Sequence, residues 1–231
     1  MRQQHWIRPW LLAALWTVAG ASQATLVTYD TQAAFLAAVT SPGVDSFDDL
    51  STAASTSSPL LRSAGSYAYT ATASTQGFFS AGTASDVWLS TDQFSDSITF
   101  DDFDASVNAI GGLFFGSDLF GQLYLGQSIL LEATDGDGSL SLTLDNTDAQ
   151  TFFGFVSSGP LLSLRLSAVQ SDLNVWPTIN NLTLAAAGNG PTVPEPASLA
   201  LAALGLALGL ELRRRSRPVL LSLPVTPLPS P

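Results

Sequence analysis

The amino-acid sequence predicts an all-β domain, an antiparallel β-sandwich with jelly-roll-like connections and one short N-terminal helix. Short apolar runs follow one another with turn residues between them, and no strong helical pattern separates them. Apolar and polar residues alternate most plainly in 139–144 and 162–166, which places the leucines on one face. Strands with one apolar face and short connections pack as two antiparallel sheets.

The helix is the first predicted element of this domain. Asp30 or Thr31 can cap it, and it continues through Val39 until Pro42-Gly43 ends it. The residues that follow, 46–66, are rich in Ser, Thr, Ala and Asp without a clear period. We therefore expect a loop in this stretch, with an edge strand at most at its start.

Nine strands are predicted after this loop. They are expected at 67–73, 86–90, 97–100, 107–115, 128–133, 139–144, 152–156, 161–169 and 178–184. Asp135-Gly136-Asp137-Gly138 joins two of them and contains Asp-Gly pairs, which tolerate the positive φ of a tight hairpin. Gly111-Gly112 interrupts an apolar run and predicts a bend or a bulge in its strand.

The N-terminal end has the pattern of a secretory signal peptide. Basic residues precede an apolar run at 10–19, and Ser22-Gln23-Ala24 offers a small-x-small cleavage site. We therefore predict a signal peptide at residues 1–24 and an exported β domain at residues 25–190.

The C-terminal end combines three features within residues 191–217. Pro194-Glu195-Pro196 holds the backbone extended, so that a glutamate is displayed before any helix begins. Residues 197–210 carry no charge and predict a transmembrane helix of about 21 Å, short for a bilayer core of about 30 Å. Four arginines follow: Arg213, Arg214, Arg215 and Arg217. The positive-inside rule keeps these arginines cytoplasmic, and the Pro-rich residues 218–231 are predicted to be a disordered tail.

The order Pro-Glu-Pro, short apolar helix and arginine cluster resembles the PEP-CTERM sorting signal of Gram-negative bacteria. The resemblance implies recognition by an exosortase, a membrane cysteine transpeptidase that would cut near Pro194-Glu195-Pro196. It also implies a transient stay in the inner membrane and then release to the cell surface or to an extracellular matrix, typically of exopolysaccharide. The β domain is similar to the β-rich domains that precede this signal, in the phrases 108–112, 153–157 and 180–184.

The residue types that the chain lacks exclude most catalytic chemistry. It has no cysteine and no lysine, and its one histidine, His5, lies in the predicted signal peptide. The exported domain therefore cannot hold a Ser-His-Asp or Cys-His triad, a thiolate or imidazole zinc site, or a Schiff-base lysine. Arg62 and Arg165 stand against seventeen Asp and Glu residues in 25–190, a net charge of −15. Such a domain repels phosphate backbones, so we expect no nucleic-acid partner.

Carboxylates cluster in two places in the domain. Glu132, Asp135 and Asp137 surround a glycine-rich turn, where hard oxygen ligands would suit Ca²⁺ and where a plain hairpin turn is the alternative. Three further aspartates lie in 101–104 and predict a solvated loop, unless a cation separates their charges. We expect no cofactor, with Ca²⁺ as the alternative.

Carbohydrate chemistry has its own candidate residues. Tyr67 and Tyr69 lie on the same face of a predicted strand and would form a stacking platform for a sugar, unless they fill the core. Trp176-Pro177 lies in a predicted loop and supplies the aromatic side chain expected to be most exposed. A glycosidase needs two carboxyl groups at about 5 to 10 Å, and Glu132 with Asp145 is only one of many pairs in this acidic domain.

These observations favour an exported, non-enzymatic protein with a structural or adhesive role. A lectin-like glycan-binding module is the alternative, and a carboxylate-dependent glycoside hydrolase is the third interpretation. The expected partners are an exosortase-type processing enzyme, the membrane that holds the chain transiently, and exopolysaccharide.

Overall fold

The computed structural model describes residues 26–170 and 174–188, which form one helix and fifteen strands. The helix is α1 (Gln32–Ala38). The strands are β1 (Leu26–Tyr29), β2 (Val39–Asp45), β3 (Ser55–Ser57), β4 (Leu60–Ala64), β5 (Tyr67–Ala73), β6 (Gly77–Thr83), β7 (Asp86–Thr91), β8 (Ser97–Asp101), β9 (Ala109–Ser117), β10 (Leu123–Tyr124), β11 (Gln127–Asp135), β12 (Gly138–Thr147), β13 (Phe152–Ser157), β14 (Leu161–Ala168) and β15 (Trp176–Ala187). The predicted signal peptide (1–24), sorting segment (191–217) and tail (218–231) lie outside the described residues.

The strands form two antiparallel sheets that share a core. Sheet A has nine strands in the order β1-β13-β9-β15-β7-β6-β3, with β10 beside β9 and β2 beside β15. Sheet B has six strands in the order β12-β11-β14-β8-β5-β4. The shared core includes Phe78, Phe114 and Ile179 from sheet A and Phe100, Leu131 and Leu166 from sheet B. The described residues therefore have a sandwich-like all-β fold, while the jelly-roll order of connections stays a prediction.

All nine predicted strands are present, within a few residues of their predicted bounds, as β5, β7, β8, β9 and β11 to β15. The loop predicted at 46–66 is wrong, because β3 and β4 lie in this stretch. Both strands are short and half-exposed, so their sequences lack the apolar content that identifies a buried strand. β1, β2, β6 and β10 were not predicted either.

The predicted helix is confirmed, but it ends earlier than expected. The Thr31 side chain caps it by accepting a hydrogen bond from the Ala34 N–H at 3.4 Å. Val39 already begins β2, and Pro42 lies within that strand, so the expected stop at Pro42-Gly43 is wrong. A proline is tolerated here because, among the described strands, β2 pairs only with β15 and its other side carries no ladder.

Phe35 attaches the helix to the face of sheet A that points away from the shared core. Its side chain is fully buried, and its ring lies 5.5 Å from the ring of Phe152. Gly154 leaves the space for this ring, since a Cβ there would lie 2.5 Å from Phe35 Cδ2. One aromatic residue and one glycine thus hold the helix against the strands beneath it.

The irregularity predicted at Gly111-Gly112 is present, but the extra residue lies in the neighbouring strand. In the β15–β9 ladder, Asn180 pairs with Leu113 and Thr183 pairs with Gly111. Two residues of β15 therefore stand opposite one residue of β9, which defines a bulge. Asn181, within this bulge, has a φ of 52°, the left-handed conformation that asparagine tolerates better than most residues.

Candidate functional site

The residues predicted to direct sorting lie outside the part of the chain that the structure describes. They are Pro194, Glu195, Pro196, Arg213, Arg214, Arg215 and Arg217. Within residues 26–170 and 174–188, no helix is long and apolar enough to cross a membrane.

Arg62 in β4 joins sheet B to the end of β2 in sheet A through a charged cluster. Its Nε and Nη2 atoms each donate to the Asp45 carboxylate at 2.6 Å, which makes a bidentate pair. Nη2 also donates to Asp49 Oδ1 at 2.6 Å, and Nη1 donates to Asp49 Oδ2 at 3.2 Å. The Tyr69 hydroxyl donates to Asp45 Oδ2 at 2.6 Å. We call Asp45, Asp49, Arg62 and Tyr69 the Arg62 cluster.

The local sequence explains why these side chains meet. Asp45 is the last residue of β2, and its Oδ1 atom accepts the N–H of Phe47 at 3.0 Å, which turns the chain after the strand. Phe47 is fully buried, and its ring lies 5.2 Å from the Arg62 guanidinium carbon. Asp45 and Arg62 are largely buried, whereas the Asp49 side chain is 69% exposed. The bidentate pair is therefore shielded from water and the Asp49 contact is not.

The electrostatics of the Arg62 cluster favour the charged guanidinium and the neutral phenol. Burial opposes the charge on Arg62, but its bonds to Asp45 and Asp49 outweigh burial and raise the Arg62 pKa above its usual value. Burial and the charge of Asp45 raise the pKa of Tyr69, which stays a hydrogen-bond donor. The hydrogen bonds from Arg62 lower the pKa of Asp49.

A shallow groove of about 540 Å³ lies over the Arg62 cluster. It is lined by Val44, Asp45, Ser46, Asp49, Leu61, Arg62 and Ser63. Each nitrogen of the guanidinium already donates to a carboxylate, so the cation is committed to the protein and not offered to an anionic ligand. The Arg62 cluster therefore attaches β4 to the end of β2. No local sequence pattern predicts this cluster, and the only signal is that Arg62 is one of two basic residues in the domain.

The structure separates the residues of the predicted metal site. β11 ends at Asp135 and β12 begins at Gly138, which confirms the predicted hairpin. Asp135 is buried; its Oδ1 atom accepts the N–H groups of Asp137 and Gly138 at 2.9 and 3.2 Å, and its Oδ2 atom accepts the Ser157 hydroxyl at 2.8 Å. Glu132 lies three positions before Asp135 on the same strand, hence on the opposite face. No group of three potential ligands in the described ranges is placed to hold a metal ion.

The two tyrosines proposed for sugar stacking face the core. Tyr67 and Tyr69 do lie on the same side of β5, but they are only 7% and 2% exposed. Tyr69 packs edge-on against Phe100, with ring centroids 6.0 Å apart, and its hydroxyl is bound to Asp45. The prediction of a stacking platform at these residues is therefore wrong. Both tyrosines fill the core, which was the alternative. The two tyrosines are buried because sheet A packs over this face of β5. The alternation of residues within one strand cannot show which face another sheet covers.

Trp176 is also buried, so its predicted exposure is wrong. It begins β15 instead of lying in a loop, and it is 9% exposed. Its indole ring lies edge-on to Phe94 with centroids 5.7 Å apart, and its Nε1–H donates to the Asp92 carbonyl at 3.4 Å. Pro177 suggested a loop, but a proline near the first residue of a strand is compatible with a ladder.

The carboxylates at 101–104 contribute to the fold in different ways. Asp101 ends β8, where burial and the nearby charge of Asp102 raise its pKa. Asp104 Oδ2 accepts the N–H of Ala68 at 2.9 Å and thereby fixes the loop against β5. The described contacts thus give Asp104 a structural role of its own.

Glu132 and Asp145 are too far apart for the proposed glycosidase pair. Glu132 stands opposite Ser141 in the β11–β12 ladder, and Asp145 lies four residues further along β12. At about 3.4 Å per residue their backbone positions lie about 14 Å apart along the strands, whereas the two carboxyl groups of a glycosidase lie about 5 to 10 Å apart. Asp145 instead accepts the Ser128 hydroxyl at 2.7 Å.

Comparison with known proteins places the functional signal in the C-terminal segment. The PEP-CTERM protein-sorting motif matches residues 192–215, which include Pro194-Glu195-Pro196 and the apolar run 197–210. No curated protein and no solved structure matches the chain. A motif of this kind indicates a protein that an exosortase sorts to the outside of the cell. This chain is therefore a protein with a PEP-CTERM protein-sorting motif, in the segment where the sequence predicts one.

Proposed function

We propose that this protein is a non-enzymatic component of the cell surface or extracellular matrix, delivered there through its C-terminal motif. The match at 192–215 is the observation that carries the proposal. An exosortase recognises Pro194-Glu195-Pro196 and cuts near it, after a helix over 197–210 has held the chain transiently in the inner membrane. The arginines that end the motif stay on the cytoplasmic side, so the β domain faces outward.

The use of buried carboxylates in the β domain supports a non-enzymatic role. A carboxyl group that acts as a general acid is kept protonated by an apolar surrounding. Asp96 is 1% exposed, but it accepts hydrogen bonds from Ser74, Thr75 and Gln76 and so orders the β5–β6 connection. Asp45 and Asp135 are bound within the protein in the same manner. These groups are engaged in maintaining the fold.

The surface chemistry of the domain suits a polysaccharide matrix. The domain's charge of −15 keeps it soluble and away from other polyanions, while neutral chains and cation-bridged acidic chains remain accessible. Hydroxyl side chains of β12 point outward in a row, with Ser139, Ser141 and Thr143 exposed. Such a row can exchange hydrogen bonds with exopolysaccharide over an extended surface without a pocket for one sugar.

Lectin-like glycan recognition has no specific support, because Tyr67, Tyr69 and Trp176, the aromatic residues predicted to contact a sugar, are buried. It is therefore an outcome of the test and not a second proposal. The same holds for hydrolysis, since Glu132 and Asp145 do not approach each other.

Location and binding together test the proposal. Cells that produce the full chain are fractionated, and the protein is sought in the medium, the surface material and the membranes. We expect it outside the cell, in the surface or matrix fraction, without turnover of polysaccharide and without saturable binding to any single glycan. Saturable binding to one glycan would establish the lectin alternative, and turnover abolished by one Asp or Glu substitution would establish a hydrolase. A chain confined to the cytoplasm would overturn sorting itself.

A further inference from the structure

The outer edge of β12 (Gly138–Thr147) is a terminal edge of sheet B. β12 pairs with β11 on one side, and among the described residues no strand pairs with its other side. A terminal strand presents a row of N–H and C=O groups to which a further strand can add. An edge of this kind is an interaction surface unless the protein protects it.

The other terminal strands of the two sheets are protected. β1, β3, β4 and β10 have four, three, five and two residues, too few for a long ladder. β2 contains Pro42, and its Gly43 packs directly on the backbone of Ala64 in β4. β12, in contrast, has ten residues, with no proline, lysine or arginine, and its only charged residue is Asp145. It is the one long terminal strand of the described sheets that lacks these protections.

The register of the β11–β12 hairpin determines which backbone groups of β12 face outward. Asp135 and Gly138 close a two-residue loop and therefore form a hydrogen-bonded pair. Hydrogen-bonded and non-hydrogen-bonded pairs alternate along antiparallel strands, so the N–H and C=O of Leu142 bond to β11. The corresponding groups of Ser141 and Thr143 point to the free edge.

The side chains of β12 also end in an incomplete layer. Leu140, Leu142 and Leu144 pack against the shared core but stay half-exposed. Their partners in the ladder, among them Leu131 and Ile129, are fully buried. One more strand beside β12 would cover the exposed side of the leucines, as β12 covers β11.

We infer that a second copy of this chain adds to the edge, with the two β12 strands antiparallel and Leu142 on the two-fold axis. In this register Leu140 of each copy lies opposite Leu144 of the other, and Ser141 lies opposite Thr143. The outward N–H and C=O groups of Ser141 and Thr143 then face each other, as a hydrogen-bonded antiparallel pair requires. Apolar residues meet apolar residues and hydroxyls meet hydroxyls, because the strand is complementary to itself. A two-fold pair uses both free edges, so the assembly stops at two copies.

Charge modulates this pairing without preventing it. Asp145 of each copy lies opposite Ser139 of the other in the same register, so no two carboxylates face each other across the new ladder. The two domains nevertheless carry −15 each, and salt screens the repulsion between them. The dimer therefore becomes stronger as the salt concentration rises. The pairing is a property of the β domain and goes beyond the proposed function, so it does not depend on correct sorting.

Disulfide cross-linking tests the register directly, because the chain has no cysteine of its own. In the proposed dimer the Cα atoms of residue 141 and residue 143 of the other copy lie about 5.5 Å apart. This distance is within the range of about 4.4 to 6.8 Å that a disulfide spans. The full chain with Ser141→Cys and Thr143→Cys, oxidised in cells, should run as a covalent dimer that reduction removes. The matched control is Ser55→Cys with Ser57→Cys, two exposed residues at the same spacing on β3.

Sedimentation of the protein recovered from cells gives a second readout that needs no covalent bond. The unmodified protein should form a dimer that dissociates on dilution. Ser141→Glu with Thr143→Glu places like charges opposite each other and should yield monomers, whereas the same charges at Ser55 and Ser57 should not. A monomer at every concentration, assemblies larger than two, or equal cross-linking at β3 and β12 would each overturn the inference.

Discussion

The two terminal strands of sheet B, β4 and β12, differ in how far their outer edges are protected. At one end β4 has five residues, and Arg62 fixes it to the end of β2 through two carboxylates. At the other end β12 has ten residues, a single charge and a row of half-exposed leucines. Of the two basic residues in the domain, Arg62 lies where β4 meets β2, and neither lies on β12. The difference teaches that the first end is fixed within the chain, while the second keeps the capacity to pair.

Removal of the Asp45 carboxylate should break the fixed end and produce the largest effect. Asp45→Ala leaves the largely buried Arg62 with only the exposed Asp49 and leaves the Tyr69 hydroxyl without its acceptor. Removal of one partner of a buried ion pair costs about 3 to 5 kcal/mol of unfolding free energy. Urea unfolding followed by tryptophan fluorescence measures this loss.

Asp49→Ala is the matched control for this prediction. It removes a carboxylate from the same arginine, but the Asp49 side chain is 69% exposed. An exposed ion pair contributes about 1 kcal/mol or less. Equal losses in the two variants would mean that the bidentate pair is not what fixes β4 to β2.

Two leucines that face each other in the ladder test whether the outer edge of β12 is open. Leu131 and Leu142 stand opposite each other in the β11–β12 ladder, but only Leu131 is fully buried. Leu131→Ala should cost about 2 to 5 kcal/mol, as for a core leucine. Leu142→Ala should cost less than half of that at low protein concentration, because part of its surface is already in water. The unfolding free energies of the two variants, compared by chemical denaturation, decide between an open and a covered edge.

The smallest expected effects depend on pH and have opposite signs at two aspartates. Arg62 lowers the pKa of Asp49 below its ordinary value of 3.8, so its contribution to stability is present above that pH and is lost as the pH falls through the lower value. Burial and Asp102 raise the pKa of Asp101 above 3.8, so its contribution is present in acid and is lost as the pH rises through the higher value.

The two aspartates can be compared by denaturation of Asp49→Asn and Asp101→Asn variants between about pH 2 and pH 6. Asp49→Asn should lose stability relative to the unmodified protein only at the upper end of this range. Asp101→Asn should gain stability at the same end. Parallel curves for the two variants would show that the environments of these carboxylates do not differ as described.

The sequence predicted most of the fold where a strand carried its own pattern. The leucines of β12 and β14 alternate with polar residues, so one strand was enough to identify them. β6 was missed because both of its faces are mostly buried, which removes the alternation. β3 and β4 were missed for the opposite reason, since they are short, largely exposed edge strands with little apolar content.

A candidate site could be predicted from the sequence only where its residues are contiguous in the chain. The sorting motif is such a segment, and its match at 192–215 confirms it. The Arg62 cluster depends on Asp45, seventeen positions away, and on the way sheet A approaches sheet B. The exposure of Tyr69 and Trp176 likewise depends on packing partners, so a single strand could not reveal that both are buried.

The central claim is that this chain is an exported cargo whose C-terminal segment is a sorting instruction, and the intact mass of the protein recovered from cells tests it most directly. The account predicts a species that lacks about residues 1–24 together with the segment that follows the cut near Pro194-Glu195-Pro196. Glu195→Ala should block the C-terminal loss, whereas Glu211→Ala, a glutamate of the same segment outside Pro-Glu-Pro, should leave it unchanged. A full-length cytoplasmic species, or C-terminal loss that Glu195→Ala leaves intact, would contradict the account.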